Sequence, residues 1–245
     1  MLARQIGVDE AGRGPAIGPL VVSALNIPEK DRPILRDLGV DDSKILTKKN
    51  RERLYKEILS CSDSLGWTIG LVRCNARRID EWMENGSLNS LEVLLFSEAI
   101  CDAAEPGDGF EIFLDACDVN ARRFGRNVSE TLGNSWQGCN IYSEHKMDAK
   151  NELVAAASII AKVNRDSAIE ELSQELSIDL GSGYPSDPKT KDALEILCMQ
   201  DVLADCIRRK WTNVQRIWEK SHKRPIQTRA NERSGAFQSA LDEWE

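Results

Sequence analysis

Apolar residues along the first 74 positions fall into three short runs separated by polar or glycine-rich segments. The first run surrounds Ile6, the second covers 20–25 and the third covers 65–74, and each has a length typical of a β-strand. Between the second and third runs, Thr47 is a suitable N-cap for an amphipathic helix that extends to about Ser60. Three strands this early in the chain predict an antiparallel meander.

Helical periodicity dominates the rest of the chain, where two more apolar runs interrupt it. The runs at 110–114 and 139–142 predict a fourth and a fifth strand. The longest helical pattern, 151–176, begins with small residues that favour close packing on a sheet. The other helices are predicted within 28–39, at 75–84, from residue 89 or 90 onward, and at 189–199 and 202–221. The polar segment at about 225–235 is typical of a flexible linker.

This order of elements predicts an α/β protein with a mixed five-stranded sheet flanked by helices and a C-terminal helical extension. The two later strands would extend the meander in parallel, through helical crossovers. We place the main domain at 1–180, the helical extension at 181–224 and a flexible tail at 225–245. In such sheets, functional side chains gather at strand tips and at the starts of neighbouring helices.

Carboxylates stand at the ends of two predicted strands. Asp9 and Glu10 end the first strand, before the turn Gly12–Gly14, and Asp115 ends the fourth. Because side chains alternate faces along a strand, Asp9 and Glu10 point in different directions while the strand stays regular. If the two strands are adjacent and parallel, three acids meet at one edge, and Asp148 could join them as a fourth. The alternative is that Asp9 and Glu10 belong only to a charged turn.

Oxygen ligands without a partner histidine or thiolate favour Mg²⁺ or Mn²⁺ over zinc. Such ions, often in pairs, activate water and stabilise the leaving oxygen in phosphodiester hydrolysis. The chain has only two histidines and no Gly-x-Ser-x-Gly motif, which argues against triad chemistry. It also has no Gly-x-x-x-x-Gly-Lys-Ser/Thr loop, which argues against a P-loop nucleotide enzyme.

The composition, 41% hydrophobic and 29% charged, is that of a globular protein. The net charge of −8 does not indicate nucleic-acid binding, although a local basic patch or a bound metal can reverse the sign where it matters. Seven cysteines without a Cys-x-x-Cys pair are typical of reduced thiols in the cytosol. No apolar run is long enough to cross a membrane, and no signal peptide fits before the first strand, so we expect a cytoplasmic protein.

Six segments, in order along the chain, resemble ribonuclease HII (type 2 ribonuclease H), and in particular its archaeal members. They are 9–15, 42–44, 115–118, 145–148, 156–166 and 181–188, within a resemblance that covers about residues 4–220. The resemblance implies a ribonuclease H-like fold and endonucleolytic cleavage of the RNA strand of RNA–DNA hybrids. It also implies cleavage 5′ to a single ribonucleotide in duplex DNA, which leaves 3′-hydroxyl and 5′-phosphate ends.

The resemblance further implies which residues carry the chemistry. The four acids that bind metal and catalyse the reaction in the family match Asp9, Glu10, Asp115 and Asp148. Cys117 stands where alanine is common in the family, a departure that should matter little to metal binding. The implied cofactor is Mg²⁺ or Mn²⁺, with two ions in the substrate complex.

The family's Gly-Arg-Gly motif and a tyrosine recognise the 2′-hydroxyl of the ribonucleotide, and they match Gly12, Arg13, Gly14 and Tyr184. Lys44 matches a lysine near the substrate phosphate. Archaeal relatives often have a second lysine at the position of Ile45, and this chain departs from them there. For Tyr184, the alternative is a packing anchor in a Gly/Pro-rich loop.

Nine basic and two acidic residues between Arg208 and Arg233 give this segment a net charge of +7. Trp211 and Trp218 lie seven residues apart, so we expect both on the buried face of one helix. The positive charges would then face outward and follow a duplex backbone. Asp118 is interpreted as a helix cap, with metal ligation as the alternative.

Two other classes of function stay open. A DNA nuclease or resolvase with the same carboxylate chemistry would also cut an all-DNA duplex. A non-catalytic metal- or nucleic-acid-binding module would tolerate the loss of an acid, whereas all four positions are filled here. His145 is either a catalytic group or part of a solvated turn.

The C-terminal residues 236–245 are unexpectedly apolar behind a charged linker. The spacing of Gln238, Leu241 and Trp244 resembles the peptide by which replication enzymes dock on the sliding clamp, although Glu245 replaces the final aromatic residue. The alternative is a helix end that packs on its own domain. We therefore expect the chain to bind a clamp through 238–245. The expected substrates are RNA–DNA hybrids and ribonucleotide-containing duplexes, and the expected oligomeric state is a monomer.

Overall fold

The computed structural model describes residues 3–40, 46–107 and 109–229. Within these ranges, one five-stranded sheet has the strand order β3-β2-β1-β4-β5. Its strands are β1 (Arg4–Ala11), β2 (Leu20–Pro28), β3 (Thr68–Cys74), β4 (Glu111–Asp115) and β5 (Asn140–Glu144). Strand β1 pairs antiparallel with β2 and parallel with β4, and β4 pairs parallel with β5. The predicted mixed sheet, extended in parallel by its two later strands, is confirmed.

Helices α1 to α8 connect and follow these strands. They are α1 (Arg32–Asp37), α2 (Lys48–Leu65), α3 (Ala76–Trp82), α4 (Leu88–Ala103), α5 (Ala121–Leu132), α6 (Glu152–Leu176), α7 (Pro188–Cys198) and α8 (Thr212–His222). The side chain of Thr47 accepts a hydrogen bond from the Asn50 N–H, which confirms Thr47 as the N-cap of α2. Within the described ranges, no helix combines the length and the apolar character needed to cross a membrane.

The chain divides into two compact units, each discontinuous in sequence. The first contains the residues up to Arg13 together with Leu20–Arg73 and Asn89–Arg165, and the second contains Gly14–Pro19, Cys74–Leu88 and the residues from Asp166 onward. The predicted boundaries at 180 and 224 stay predictions. The first unit holds the sheet and its core, which includes Leu25, Ile58, Leu153 and Ile160.

Close packing of α6 on the sheet positions the residues around it. A Cβ at Gly7 of β1 would lie 2.6 Å from the Leu153 carbonyl carbon, so only glycine allows this approach. The Ser23 hydroxyl of β2 donates to the Ala157 carbonyl at 2.6 Å. The small residues at the start of α6 therefore serve the packing that the sequence predicted, and the N-terminal end of the helix is held against β1.

Two sequence predictions for the C-terminal region differ from the structure, the second only over the part of 225–235 that the structure describes. The helix expected at 202–221 begins only at Thr212, because the preceding residues form turns that bind other segments of the second unit. The segment expected to be a flexible linker is anchored over its described part, 225–229: Arg229 is fully buried and its Nε lies 3.3 Å from Asp80 Oδ2. A buried ion pair of this kind fixes the backbone that carries it.

Candidate active site

The parallel pairing of β1 and β4 brings Asp9 and Asp115 together. The register pairs Val8 with Leu114, so the next residue on each strand is one of the two acids. Asp9 is almost fully buried, with 3% of its surface exposed, and Asp115 is half-buried. The condition stated for the meeting of these acids, that their strands are adjacent and parallel, is met.

Asp148 lies close to Asp9 and Asp115. It lies in a short 3₁₀ turn, Met147–Ala149, directly before α6, and its side chain is buried. The Met147 N–H donates to Asp115 Oδ1 at 2.9 Å, which ties this turn to the end of β4. Carboxylate oxygens of Asp9, Asp115 and Asp148 all lie within 4.8 Å of one another. We call these three residues the acid cluster.

The electrostatics of the acid cluster favour a bound cation. Burial raises the pKa of Asp9 well above its usual range, and the charges of Glu10 and Asp115 and a hydrogen bond with the Glu10 side chain raise it further. A hydrogen bond with Ser158 acts in the opposite direction. Like charges held this close are stabilised by a cation, and an all-oxygen donor set suits Mg²⁺ or Mn²⁺. The residues present therefore fit a divalent metal.

Glu10 points to a second group of side chains. Its carboxylate lies within 4.8 Å of ligand atoms of Glu92 and Cys117, while its backbone N–H donates to Asp9 Oδ1 at 2.7 Å. Burial, followed by the charges of Glu10 and Glu92, raises the pKa of the Cys117 thiol well above its usual range. Glu10 thus contacts both Asp9 of the acid cluster and the separate group formed by Glu92 and Cys117.

The Gly12–Gly14 turn is held through its arginine. Arg13 Nε lies 2.8 Å from Glu92 Oε1, and Arg13 Nη2 donates to Asn89 Oδ1 at 2.6 Å. Asn89 and Glu92 are three residues apart on α4, so one face of this helix presents both oxygens. The guanidinium therefore ties this turn to α4.

In the second unit, Gly14 lies against Tyr184. A Cβ at Gly14 would be 3.4 Å from the Tyr184 ring, so the two residues are in close proximity. Two side chains stabilise the loop around Tyr184. Asp187 Oδ2 accepts a hydrogen bond from the Ser182 N–H at 2.7 Å, and Thr190 Oγ1 accepts one from the Gly183 N–H at 2.9 Å. Lys44 and Ile45 lie outside the described residues, as does the C-terminal peptide 236–245.

Two sequence interpretations of charged residues need correction. Asp118 is not the N-cap of α5: Asn120 is, and Asp118 instead pairs with Arg123, which holds the pKa of the Asp118 carboxyl below its usual value. Among the nine basic residues expected to face a duplex, Arg208, Arg209 and Arg229 are buried. Arg208 and Arg209 were misassigned because the segment before α8 forms buried turns where a helix was predicted, and Arg229, which follows α8, is buried by its pairing with Asp80.

Tertiary contacts reveal residues that sequence reasoning missed. Glu92 is fully buried on α4, where most of the other buried residues are apolar, and this is a recognisable signal because a carboxylate is rarely buried without a partner. Ser158 contributes a hydrogen bond to Asp9. Trp218 is buried as predicted, but Trp211 is only half-buried and donates its indole N–H to the Gly14 carbonyl at 3.1 Å.

Comparison with known proteins identifies the family. Residues 6–214 match the family model for ribonuclease HII. The chain belongs to the ribonuclease HII family. Ribonuclease HII of Methanococcus maripaludis (strain C5) is 44% identical over 190 residues, a match that covers 78% of this chain and 76% of that protein.

Solved structures agree with this assignment. The crystal structure of ribonuclease H2 from Pyrococcus horikoshii OT3 matches with a TM-score of 0.79 at 40% identity, over 90% of this chain and 100% of that one. The structure of the PCNA:RNase HII complex from Archaeoglobus fulgidus matches with a TM-score of 0.73 at 35% identity, over 85% of this chain and 95% of that one. As a ribonuclease HII, this chain is an endonucleolytic hydrolase of RNA–DNA hybrids from a metal-dependent family.

Proposed function

We propose that this ribonuclease HII also cuts duplex DNA on the 5′ side of a single embedded ribonucleotide and leaves 3′-hydroxyl and 5′-phosphate ends. The observation that carries the proposal is the proximity of Gly14 to Tyr184. A 2′-hydroxyl both donates and accepts hydrogen bonds, and it is what distinguishes RNA from DNA at one nucleotide. Backbone groups of Gly14 and the Tyr184 phenol would supply partners of both kinds for this hydroxyl, and Gly12 and Arg13 are proposed to take part on the sequence match alone.

The acid cluster and Glu10 would hold one or two Mg²⁺ or Mn²⁺ ions. When bound, such ions lower the pKa of a water molecule and stabilise the charge on the leaving oxygen. Asp9, Asp115 and Asp148 provide the converging oxygens, and the Met147 N–H holds one Asp115 oxygen in place. Glu10, which follows Asp9 on β1, is suited to a ligand position at the edge of the cluster.

Lys44 is proposed as a contact to the substrate phosphate, on the sequence match alone. We also propose that residues 238–245 dock on the sliding clamp, because the related Archaeoglobus protein has been solved in complex with PCNA. This docking would connect the enzyme to DNA replication and repair. Deleting 236–245 should abolish clamp binding in calorimetry and leave cleavage of short substrates unchanged; clamp binding that survives the deletion would refute this assignment.

The central experiment compares three duplexes of one sequence: all-DNA, DNA with one ribonucleotide, and an RNA–DNA hybrid. In Mg²⁺ or Mn²⁺, we expect cleavage of the last two only, with a single cut 5′ to the lone ribonucleotide and no cleavage in EDTA. End-labelling and phosphatase treatment identify the ends. Cleavage of the all-DNA duplex at a similar rate would instead favour the broader DNA nuclease.

Tyr184→Phe tests the recognition step directly. It removes the phenol hydroxyl and keeps the ring against Gly14, so cleavage at a single ribonucleotide should fall while Mn²⁺ affinity stays unchanged. Tyr142→Phe, at an exposed tyrosine on β5, is the matched control. Wild-type cleavage by Tyr184→Ala would show that the loop is only structural.

A further inference from the structure

Two residues in the segment before α8 hold the backbone that follows the Gly-Arg-Gly turn. The indole N–H of Trp211 donates to the Gly14 carbonyl at 3.1 Å. Arg208 Nε donates to the Gly18 carbonyl at 3.0 Å, and the Arg208 backbone N–H donates to the Ala16 carbonyl at 2.9 Å. The carbonyls of Gly14, Ala16 and Gly18 thus all accept hydrogen bonds from Arg208 or Trp211. These bonds restrict how the segment 14–18 can move.

The two residues also support each other. The Arg208 guanidinium lies 4.9 Å from the centroid of the Trp211 ring, within the range of a cation–π contact. Arg208 is fully buried, so its charge serves this internal contact instead of a nucleic-acid backbone. Trp211 lies at the N-cap position of α8, outside the helix, and its ring packs against a hydrophobic cluster in addition to its contacts with Arg208 and the Gly14 carbonyl.

The same backbone segment is bonded to the loop that carries Tyr184. The N–H groups of Ala16 and Ile17 both donate to the Gly183 carbonyl, at 2.8 and 3.3 Å. Gly14 consequently lies close to both rings, to the Trp211 indole through its carbonyl and to the Tyr184 ring through its Cα. A change in the Gly14 carbonyl direction would rotate the adjoining peptide groups relative to the phenol.

We propose that Trp211 is a specificity-determining positioning residue: it orients the Gly14 backbone against Tyr184 and so sets the geometry in which the 2′-hydroxyl is read. The inference rests on the proposed reading of that hydroxyl by Gly14 and Tyr184. Trp211 acts through Gly14 and need not touch the substrate. The group that matters is the indole N–H, since the ring itself would be supplied by any aromatic residue.

Trp211→Phe removes this N–H and keeps an aromatic face for Arg208. We expect kcat/KM for the single-ribonucleotide duplex to fall about five- to tenfold, the effect of losing one hydrogen bond. Mn²⁺ affinity, measured by calorimetry, and the unfolding midpoint should stay close to wild type. Trp218→Phe is the matched control, because Trp218 is buried on α8 and its indole N–H has no hydrogen-bond partner among the described residues. This control should lower stability and leave selectivity unchanged.

A double-mutant cycle with Tyr184→Phe distinguishes positioning from general destabilisation. If Trp211 acts through the Gly14–Tyr184 pair, the two losses in kcat/KM are less than additive. Wild-type selectivity in Trp211→Phe, or a loss that only follows the unfolding midpoint as in Trp218→Phe, would overturn the proposal and leave the proposed function intact. A wild-type enzyme that does not distinguish the single-ribonucleotide duplex from all-DNA would instead refute the proposed function on which it rests.

Discussion

Two buried aspartates, Asp9 in the first compact unit and Asp80 in the second, have opposite electrostatic surroundings. Burial is the largest cause that raises the pKa of each carboxyl. Around Asp80, the backbone N–H groups of Arg209 and Lys210 and the Arg229 guanidinium all favour the charged form. Around Asp9, the neighbouring carboxylates of Glu10 and Asp115 raise the pKa further.

The difference shows how a structural acid is distinguished from a functional one. The charge of Asp80 is balanced by groups of the protein itself, so this acid stabilises the fold. Asp9 lies among acids whose repulsion a divalent ion would relieve, and such a perturbed carboxylate is typical of a functional site. The two sites should therefore respond in opposite ways to mutation, pH and metal.

The largest expected effect is on turnover. Asp115→Asn should lower kcat by about a hundredfold to a thousandfold, because an amide is a poorer metal ligand and leaves the metal's charge less compensated. Without metal, the Asp115→Asn variant should be no less stable than the wild type, since the substitution removes one repulsive charge. Steady-state kinetics in Mn²⁺ and urea denaturation in EDTA test both parts, and a fully active Asp115→Asn enzyme would refute the site.

The next effect is on stability. Arg229→Met should lower the free energy of unfolding by about 3–5 kcal/mol, the cost of leaving one partner of a buried ion pair without the other. Turnover per folded molecule should be unchanged. Arg77→Met is the matched control: its contact with Asp205 is partly exposed, so its loss should cost less than about 1 kcal/mol. Equal losses from the two variants would contradict the comparison.

Glu92 is an intermediate case, because it is buried and paired like Asp80 but lies beside Glu10. Glu92→Gln should lower stability by only about 1–2 kcal/mol, since its partner Arg13 is partly exposed and the amide can still accept a hydrogen bond. Cleavage should fall less than tenfold. Glu98→Gln, on the same helix, is the control, and a thousandfold loss in Glu92→Gln would place Glu92 among the metal ligands.

The smallest effect is a pH dependence without metal. Because the native pKa of Asp9 lies above the unfolded value of 3.8, the native state holds a proton that the unfolded state has lost between these two pH values. The free energy of unfolding should therefore fall as pH rises through this window, by at most about 1.4 kcal/mol per pH unit from this group. Asp9→Asn should remove this contribution. Parallel pH curves for the wild type and Asp9→Asn, both in EDTA, would contradict the assigned shift.

Local patterns in the sequence predicted the strands, most helices and the carboxylates at the strand tips. The apolar runs that end in Asp9 and Asp115 can be recognised from neighbouring residues alone. The small residues of α6 likewise predicted that this helix packs closely on the sheet. The Thr47 cap was equally predictable, because it depends on atoms three residues away. The family resemblance added candidate roles that no periodicity contains.

The tertiary structure alone decided which charges are buried and with what partners. Arg208 and Arg229 belong to a run that looks solvent-exposed in the sequence, yet contacts with residues more than 100 positions away bury both. Glu92 was overlooked for the same reason, since its partner Arg13 precedes it by 79 residues. The chain by itself determined where the strands lie and which of them carry acids near their ends. Whether a charge is neutralised within the protein or left for a metal depends on neighbours that only folding brings together.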